Sequence, residues 1–374
     1  MADGSGRGTA QGFSLAPAPH LRTSSSAAAI SWLVAASLLP AAAWGVFLFG
    51  SSALLVLAAA IVSALLVEGL TSLAFHRFTL HDGSGFLTGL FVGLLMPPGA
   101  PLYVPAAAAA FAVLVIKQSF GGLGRNWMNP ALGGIVFALL SWGEPMSRWM
   151  AARGTDMSPP LPPLEALRAA FAASGTSAAP AGNALSLLGG HGYAFSPLDG
   201  RVVTWINLHL FSPLHLSLPG GVFDILVGTV PGRIGEISPP LLLAGAAFLI
   251  VRRLIRWEVP VIYIGTFGVL AQVFGGLANG QGWMTGSAGF HVFSGSLVLG
   301  AFFMAGDPVT SPLMRRGRCI YAAGLGVLTF FLRFFGSLGD GVAVAILLGN
   351  CAVPFIDKLT QRRLTSGAIP EGGQ

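Results

Sequence analysis

Between residues 27 and 357 the chain is a succession of apolar runs with almost no charge inside them. A soluble domain does not look like this. Such domains carry about 25% charged residues, whereas here 9% are charged and 53% hydrophobic. A bilayer core about 30 Å thick takes roughly 20 helical residues. That length predicts ten spans, at 27–49, 52–74, 84–97, 103–120, 130–144, 238–254, 258–276, 289–305, 319–335 and 340–357. The third, fifth and eighth are short or studded with glycine. They read as half-helices or tilted helices packed inside a bundle, because non-helical backbone at membrane depth survives only where protein or a cavity satisfies it. The predicted class is therefore an all-α polytopic membrane protein with about ten transmembrane helices.

Orientation follows from the basic residues. With a cytoplasmic N-terminus, ten spans put Arg7, Arg22, Arg77, Lys117, Arg125, Arg252, Arg253, Arg256, Arg315, Arg316, Arg318, Lys358, Arg362 and Arg363 on the inside, 14 of the 20. Of the other six, Arg148, Arg153, Arg168, Arg201 and Arg233 fall in one long loop, and long loops cross with little regard to charge. Arg333 is the sixth. Both termini are expected in the cytoplasm. The formal charge of +6 then reflects topology rather than nucleic-acid binding. Residues 1–26 are polar and lack a short apolar core with a small-residue cleavage site, so the first run reads as a retained span.

This divides the chain into a cytoplasmic segment 1–26, a membrane unit 27–144, an external insertion 145–237, a second membrane unit 238–357 and a cytoplasmic tail 358–374. The insertion holds the Pro-rich run Ser158 to Pro163 and a Gly-, Ala- and Ser-rich stretch from Ala172 to Gly190. A structureless loop of that length is unusual in a compact domain, so it is either partly disordered or built to hold something. The two membrane units echo one another. Phe120-Gly121-Gly122-Leu123-Gly124 precedes the fifth span and Phe335-Gly336-Ser337-Leu338-Gly339 the tenth; Met96-Pro97-Pro98 and Met304 with Gly306-Asp307-Pro308 mark breaks upstream. Five spans is an odd number, so the second unit is inverted relative to the first, an arrangement that points to a site near the repeat interface.

Few residues are available for chemistry. Glu68 lies inside the second apolar run, where an ionisable group is costly unless paired or hydrated and is a functional candidate by default; a carboxyl bonded to a neighbouring helix or reaching the cytoplasmic face is the plainer alternative. Asp357 ends the last span on the same side, beside Lys358, and reads equally well as a boundary charge. Asp307 is placed to bond backbone N–H groups in a turn. Asn129-Pro130 reads as an N-cap and first helical residue. Arg233, in Pro231-Gly232-Arg233-Ile234-Gly235-Glu236, is suited to meeting a phosphate, or the glycines simply make a turn. Cys319 and Cys351 are too few and isolated for an iron–sulfur cluster, and the seven histidines show no ligand spacing, so no metal site is expected.

Taken together, these strings resemble the RnfD/NqrB family, which comprises the D-type membrane component of the Rnf electron-transport complex and the related B-type component of the sodium-pumping NADH:quinone reductase. The likeness rests on Ala16-Pro17-Ala18-Pro19-His20, Asp82-Gly83-Ser84 with Leu87-Thr88-Gly89, Met96-Pro97-Pro98, Asn129-Pro130-Ala131 and Pro231-Gly232 with Ile234-Gly235-Glu236 and Ser238. It continues through Phe303-Met304 with Asp307-Pro308-Val309-Thr310-Ser311-Pro312, Arg316-Gly317-Arg318, Ile320-Tyr321 and Val353-Pro354 with Asp357, in order from about residue 14 to 363.

The resemblance implies a ten-helix fold of two inverted five-helix repeats, like that of urea and ammonium channels. It implies a bacterial inner-membrane component of a pump coupling ferredoxin/NAD electron transfer to Na⁺ or H⁺ movement, with the other Rnf-type components (A, B, C, E and G) as partners. It implies FMN on the external side, attached through its phosphate to a Thr in an Asp-x-x-Ser-Gly-Ala-Thr motif, and leaves room for a second, non-covalent flavin. Glu68 and Asp357 would lie on the ion path, and Arg233 and Glu236 near the cofactor.

Here the chain departs from the motif. In one register, Ser174-Gly175-Thr176-Ser177-Ala178, Ser177 takes the flavin-bearing position, Thr176 stands one residue out of register, and Phe171 stands where Asp is expected. A second register, from Thr155-Asp156 to Pro163-Leu164 and Ala166-Leu167-Arg168, puts Pro162 at that position, and proline has no hydroxyl. A flavin-free permease or channel-like protein, or an assembly scaffold that has lost the cofactor, are the competing readings, since fold does not fix function.

Overall fold

The computed structural model describes residues 26–76, 79–155, 158, 160–174, 184–211, 218–278 and 282–360. The first membrane unit comprises α1 (Ala27–Phe49), α2 (Ser51–Ala74), α3 (Ser84–Leu94), α4 (Tyr103–Phe111), which continues as a wider π turn over Ala112–Gln118, and α5 (Pro130–Ser141). The insertion contributes α6 (Pro163–Ser174), α7 (Ala184–Gly190), α8 (Pro197–Ile206) and α9 (Val222–Val227). The second unit has α10 (Pro239–Val251), α11 (Glu258–Ala278), α12 (Ala288–Phe293), α13 (Leu297–Leu299) with a π turn over Gly300–Met304, α14 (Arg315–Phe335) and α15 (Val342–Thr360).

Capping decides where α5 begins. The Asn129 side chain accepts from the N–H groups of Ala131 and Leu132, and Pro130 supplies the first helical residue, as expected for a helix starting within a packed bundle. Among the described residues, five helices, α1, α2, α11, α14 and α15, are long and apolar enough to cross a bilayer, and α3, α4, α5 and α10 are shorter apolar ones. Leu66, Leu70, Val251 and Leu359 point outward and are more than half exposed, apolar surface that suits lipid and not water. The molecule is an all-helical membrane protein.

The repeats pack against one another through α1 and α10. A Cβ on Gly45 would overlap the carbonyl oxygen of Ile234, in the segment leading into α10, and one on Gly245 of α10 would overlap that of Ser37. Small residues thus let the two backbones touch, the usual means of helix association in lipid. Because residue 45 faces 234 and residue 37 faces 245, the helices are antiparallel. The start of α1, the turn after α10, the start of α14 and the end of α15 therefore share one face, rich in arginine. The insertion covers the other.

The described residues of the insertion are folded. Leu164, Leu167, Leu185, Leu187, Leu188, Ile225 and Val230 form a core of their own, which Phe290 of α12 joins. Two buried aspartates lock it reciprocally. Asp224 on α9 accepts from the N–H (2.5 Å) and hydroxyl (2.6 Å) of Ser196, the α8 cap, while Asp199 on α8 accepts from the N–H groups of Gly221 (2.6 Å) and Phe223 (2.9 Å) at the start of α9.

Several span limits differ from expectation. The third and fifth helices are short, as anticipated, but α10 is also only 13 residues. The eighth span is not one helix: it breaks at Ser294 to Ser296, where Gly295 has φ +81°. The ninth begins at Arg315 rather than 319, since arginine stems can lie along apolar surface while the charge reaches out. The tenth starts at Val342 rather than 340, because Asp340 is drawn into an ion pair before the helix begins.

Candidate functional site

Two buried polar clusters stand out, one in each repeat and on opposite faces. The first is built on Glu68. This carboxylate is fully buried and bonds through Oε1 to the Lys117 ammonium, at very short range, and to the Thr79 hydroxyl at 3.2 Å. Lys117 sits on the π turn that ends α4, on a face shared with Ala112, Val113 and Ile116; π turns recur at functional positions. Its ammonium also donates to Ser84 Oγ at 2.5 Å, and Ser84 donates in turn to Asp82 Oδ1 at 2.5 Å. Glu68 Oε2 has no protein partner among the described residues. Gly85 makes room for it, since a Cβ there would overlap that oxygen. The cluster thus pairs one buried anion with one buried cation and, among the described residues, leaves one carboxylate oxygen free.

The second cluster is built on Asp340, between α14 and α15. Its Oδ1 meets Arg233 Nη1 at 3.1 Å; its Oδ2 accepts from Ser296 N–H at 2.7 Å, from the Ser296 hydroxyl at very short range, and lies 3.8 Å from Arg333 Nη2. Arg333 also donates from Nε to the Asp340 carbonyl at 3.0 Å and sits 4.8 Å over the Phe267 ring. Burial pushes the Asp340 carboxyl up, but Arg233 and Arg333 outweigh it and hold it well below the usual range. Glu236, whose Oε1 accepts from Arg233 N–H at 3.0 Å, is pushed up to about 7 by burial, against the pull of Arg233. Burial likewise raises Glu165, which accepts from the Trp149 indole at 2.8 Å.

The clusters are related as the repeats are. In each, a glycine with positive φ, Gly83 (+71°) or Gly295 (+81°), precedes the serine that opens a short helix, and that serine, Ser84 or Ser296, bonds the cluster. In each, the base, Lys117 or Arg333, stands just ahead of the Gly-rich string that follows the fourth helix of the repeat.

Of the residues singled out from sequence, Glu68 is buried within the membrane as expected. Asp357 is not beside it: its Oδ1 accepts from Leu313 N–H at 3.1 Å in the second repeat. Arg233 already has a counter-ion, Asp340 at 3.1 Å, with Glu236 at 4.0 Å. Asp307 does bond backbone, accepting from Val309 N–H at 3.1 Å. Thr176 and Ser177 lie outside the described residues, as does the side chain of Ser174. Sequence reading missed Lys117, Asp340, Arg333 and Ser296. Lys117 and Arg333 were counted for topology alone, although the scarcity of charge that flagged Glu68 applied to them too.

Pro162 bears directly on a flavin. It is buried and, with Pro163, Leu164, Arg233, Glu236, Ser294 and Asp340, lines a cavity of about 40 Å³, enough for water but far below the several hundred Å³ of sites that take a cofactor of flavin size. A flavin does not fit this cavity, and Pro162 offers no hydroxyl for a phosphoester. A larger external cleft of about 590 Å³ lies between α7, α9 and residues 284–293, with Gln272, Thr285 and Ser287 on its wall; Ser287 Oγ accepts from Ala184 N–H at 2.9 Å at the start of α7.

Comparison with known proteins agrees with this architecture. The family described as NQR2, RnfD, RnfE matches residues 14–366. The chain is 36% identical over 352 residues to the D component of the proton-translocating ferredoxin:NAD(+) oxidoreductase complex of Clostridium ljungdahlii, covering 93% of this chain and 95% of that one. It is 32% identical over 355 residues to the D component of the Na(+)-translocating ferredoxin:NAD(+) oxidoreductase complex of Acetobacterium woodii, covering 94% and 95%. It is 37% identical over 335 residues to the D component of the ion-translocating oxidoreductase complex of Stutzerimonas stutzeri, covering 88% and 89%. With a match that runs almost end to end and through both polar clusters, this chain belongs to the NQR2, RnfD, RnfE family.

Proposed function

We propose that this chain is the D-type membrane component of an ion-translocating ferredoxin:NAD oxidoreductase complex, acting with the other Rnf-type subunits rather than alone. One observation carries the reading: similarity to proteins of that name extends over 93% of this chain and 95% of the relative, and so takes in both membrane units, the insertion and both buried ion-pair clusters. In this reading the arginine-rich face and both termini are cytoplasmic, the membrane is the bacterial inner membrane, and the insertion is external. Lys and Arg concentrate on the side where such proteins stay inside.

Within the complex, Glu68 is assigned to the ion path. A buried carboxylate with one oxygen held by Lys117 and the other without a protein partner among the described residues is suited to contribute to a cation site. Asp357, bonded to Leu313 on the cytoplasmic face, is assigned to the entrance. The test is Glu68→Gln in the assembled complex, reading cation uptake by vesicles against ferredoxin-dependent NAD reduction. Uptake should fall while electron transfer persists; unchanged uptake removes Glu68 from the path.

FMN, when bound, would supply one-electron transfer on the external side. Since Pro162 has no hydroxyl, this reading gives the phosphoester to Ser177 or Thr176, with the 590 Å³ cleft supporting a flavin by its size. The buried Pro162 favours a second version, in which the chain carries no covalent flavin. In-gel flavin fluorescence of the denatured chain separates them: a signal lost in Ser177→Ala or Thr176→Ala identifies the attachment, and no signal in the unmodified chain overturns covalent FMN while leaving the assignment to the complex intact.

A further inference from the structure

The arginine-rich face contains a cavity that neither ion-pair cluster uses. It measures about 160 Å³ and lies between the turn after α10 and the break that precedes α14, lined by Leu254, Arg256, Val259, Pro312, Leu313 and Arg318 among others. Arg318 is only 6% exposed. Its Nη1 donates to the Leu313 carbonyl at 2.7 Å, but its Nε is buried with no protein partner among the described residues. A buried guanidinium with an unspent donor beside a second guanidinium is an unfavourable arrangement unless an anion sits between them.

Among the described residues, the surroundings do not provide that anion. Glu258 pairs with Arg315 at 3.3 Å, Asp357 accepts from Leu313 N–H, and Asp307 accepts from Val309 N–H and, at 3.4 Å, from the Thr310 hydroxyl. Against these three carboxylates stand Arg252, Arg253, Arg256, Arg315, Arg316 and Arg318. Around the cavity the surface is apolar and open, with Trp257, Leu313 and Ile320 all more than half exposed. An ion in this cavity would therefore meet arginine donors at one end and a lipid-facing surface at the other.

We propose that this cavity binds the phosphate of an anionic phospholipid headgroup, with Arg256 and Arg318 as its ligands and the apolar rim against its acyl chains. Guanidinium groups match phosphate oxygens in geometry, and basic pockets between helices on the inner face are suited to lipid phosphates. The volume admits the phosphate group with its ester oxygens but not a nucleotide. The inference concerns the bilayer and is independent of the redox reading.

The test uses the intact complex in a zwitterionic detergent, following the thermal stability of this chain as phosphatidylglycerol, phosphatidylcholine or inorganic phosphate is added, since a ligand that binds only the folded state raises its midpoint. Phosphatidylglycerol should stabilise and phosphatidylcholine should not. Arg256→Gln, an exposed side chain whose loss does not threaten the fold, should raise the concentration needed about fivefold, the factor for one arginine near an anionic surface. Arg148→Gln, on the opposite face and paired with Glu144, should leave it unchanged. Stabilisation by inorganic phosphate without any by phosphatidylglycerol overturns the lipid assignment in favour of a free ion. No stabilisation by either anion, or an equal response in Arg256→Gln, overturns the site; loss of a partner protein from that variant would then point to a protein carboxylate in its place.

Discussion

Lys117→Met tests whether Glu68 and Lys117 act as a coupled buried pair in the first repeat. The ammonium is almost fully buried, touches Glu68 Oε1 and Ser84 Oγ, and lies on a turn of α4 packed against α2. Methionine has a similar length and fills the same volume, so the change removes charge and little else. Breaking a buried ion pair by deleting one partner typically costs about 3–5 kcal/mol, because the other charge is stranded, whereas replacing both partners is often close to neutral. Lys117→Met should therefore lower the unfolding midpoint of this chain, by about 6–10 °C at roughly 2 °C per kcal/mol for a large chain. Glu68→Gln/Lys117→Met should recover most of that loss. The measurement is a chain-specific thermal aggregation assay on the extracted complex, run for the two single variants and the double. If Lys117→Met costs no more than a surface substitution, or if the double variant is as unstable as the sum of the singles, the two groups are not coupled and the account of the cluster fails.

Two further outcomes follow from the geometry. Gly85→Ala should disturb the same cluster from the other side, because the new methyl would overlap Glu68 Oε2; overpacking of this kind costs about 1–3 kcal/mol, and cation uptake should fall with Gly85→Ala as it does with Glu68→Gln, whereas full uptake would show that the carboxylate position is not critical. Glu236, with a folded value of about 7 against an ordinary 4.5, holds its proton longer in the folded chain than in the unfolded one. Stability should consequently decline as pH rises from about 4.5 to 7, by on the order of 3 kcal/mol, and Glu236→Gln should flatten that decline; an unchanged pH profile in the variant would assign the dependence to another group.

Much of this was legible in one dimension. The length of the apolar runs located the membrane helices, and the short α3 and α5 were recognisable because glycine studs them, whereas α10 was not. The inverted relation of the repeats was read from the odd number of spans and from two Gly-rich strings; α1 and α10, which open the two units, run antiparallel. Glu68 was visible because a carboxylate inside an apolar run is conspicuous. Lys117 and Arg333 were equally conspicuous and were overlooked, since a basic residue near the end of a span is ordinarily read for topology, where a long stem lets the charge reach the interface.

Contacts between distant segments were another matter. That Glu68 meets a lysine 49 residues later, or that Arg233 from the insertion is neutralised by Asp340 from 107 residues away, cannot be inferred from local pattern. Such pairs depend on which helices cross and at what height, and that is settled by small-residue packing across the whole bundle. The same limit applied to the insertion, whose core joins three short helices, α6, α7 and α9, to α12 and whose Pro162 lines a water-sized cavity. Partition of residues between lipid and water is a property of each segment and so is written along the chain. The partner of a buried charge is a property of the assembled bundle, because the desolvation cost can be met by any complementary group that folding brings within reach.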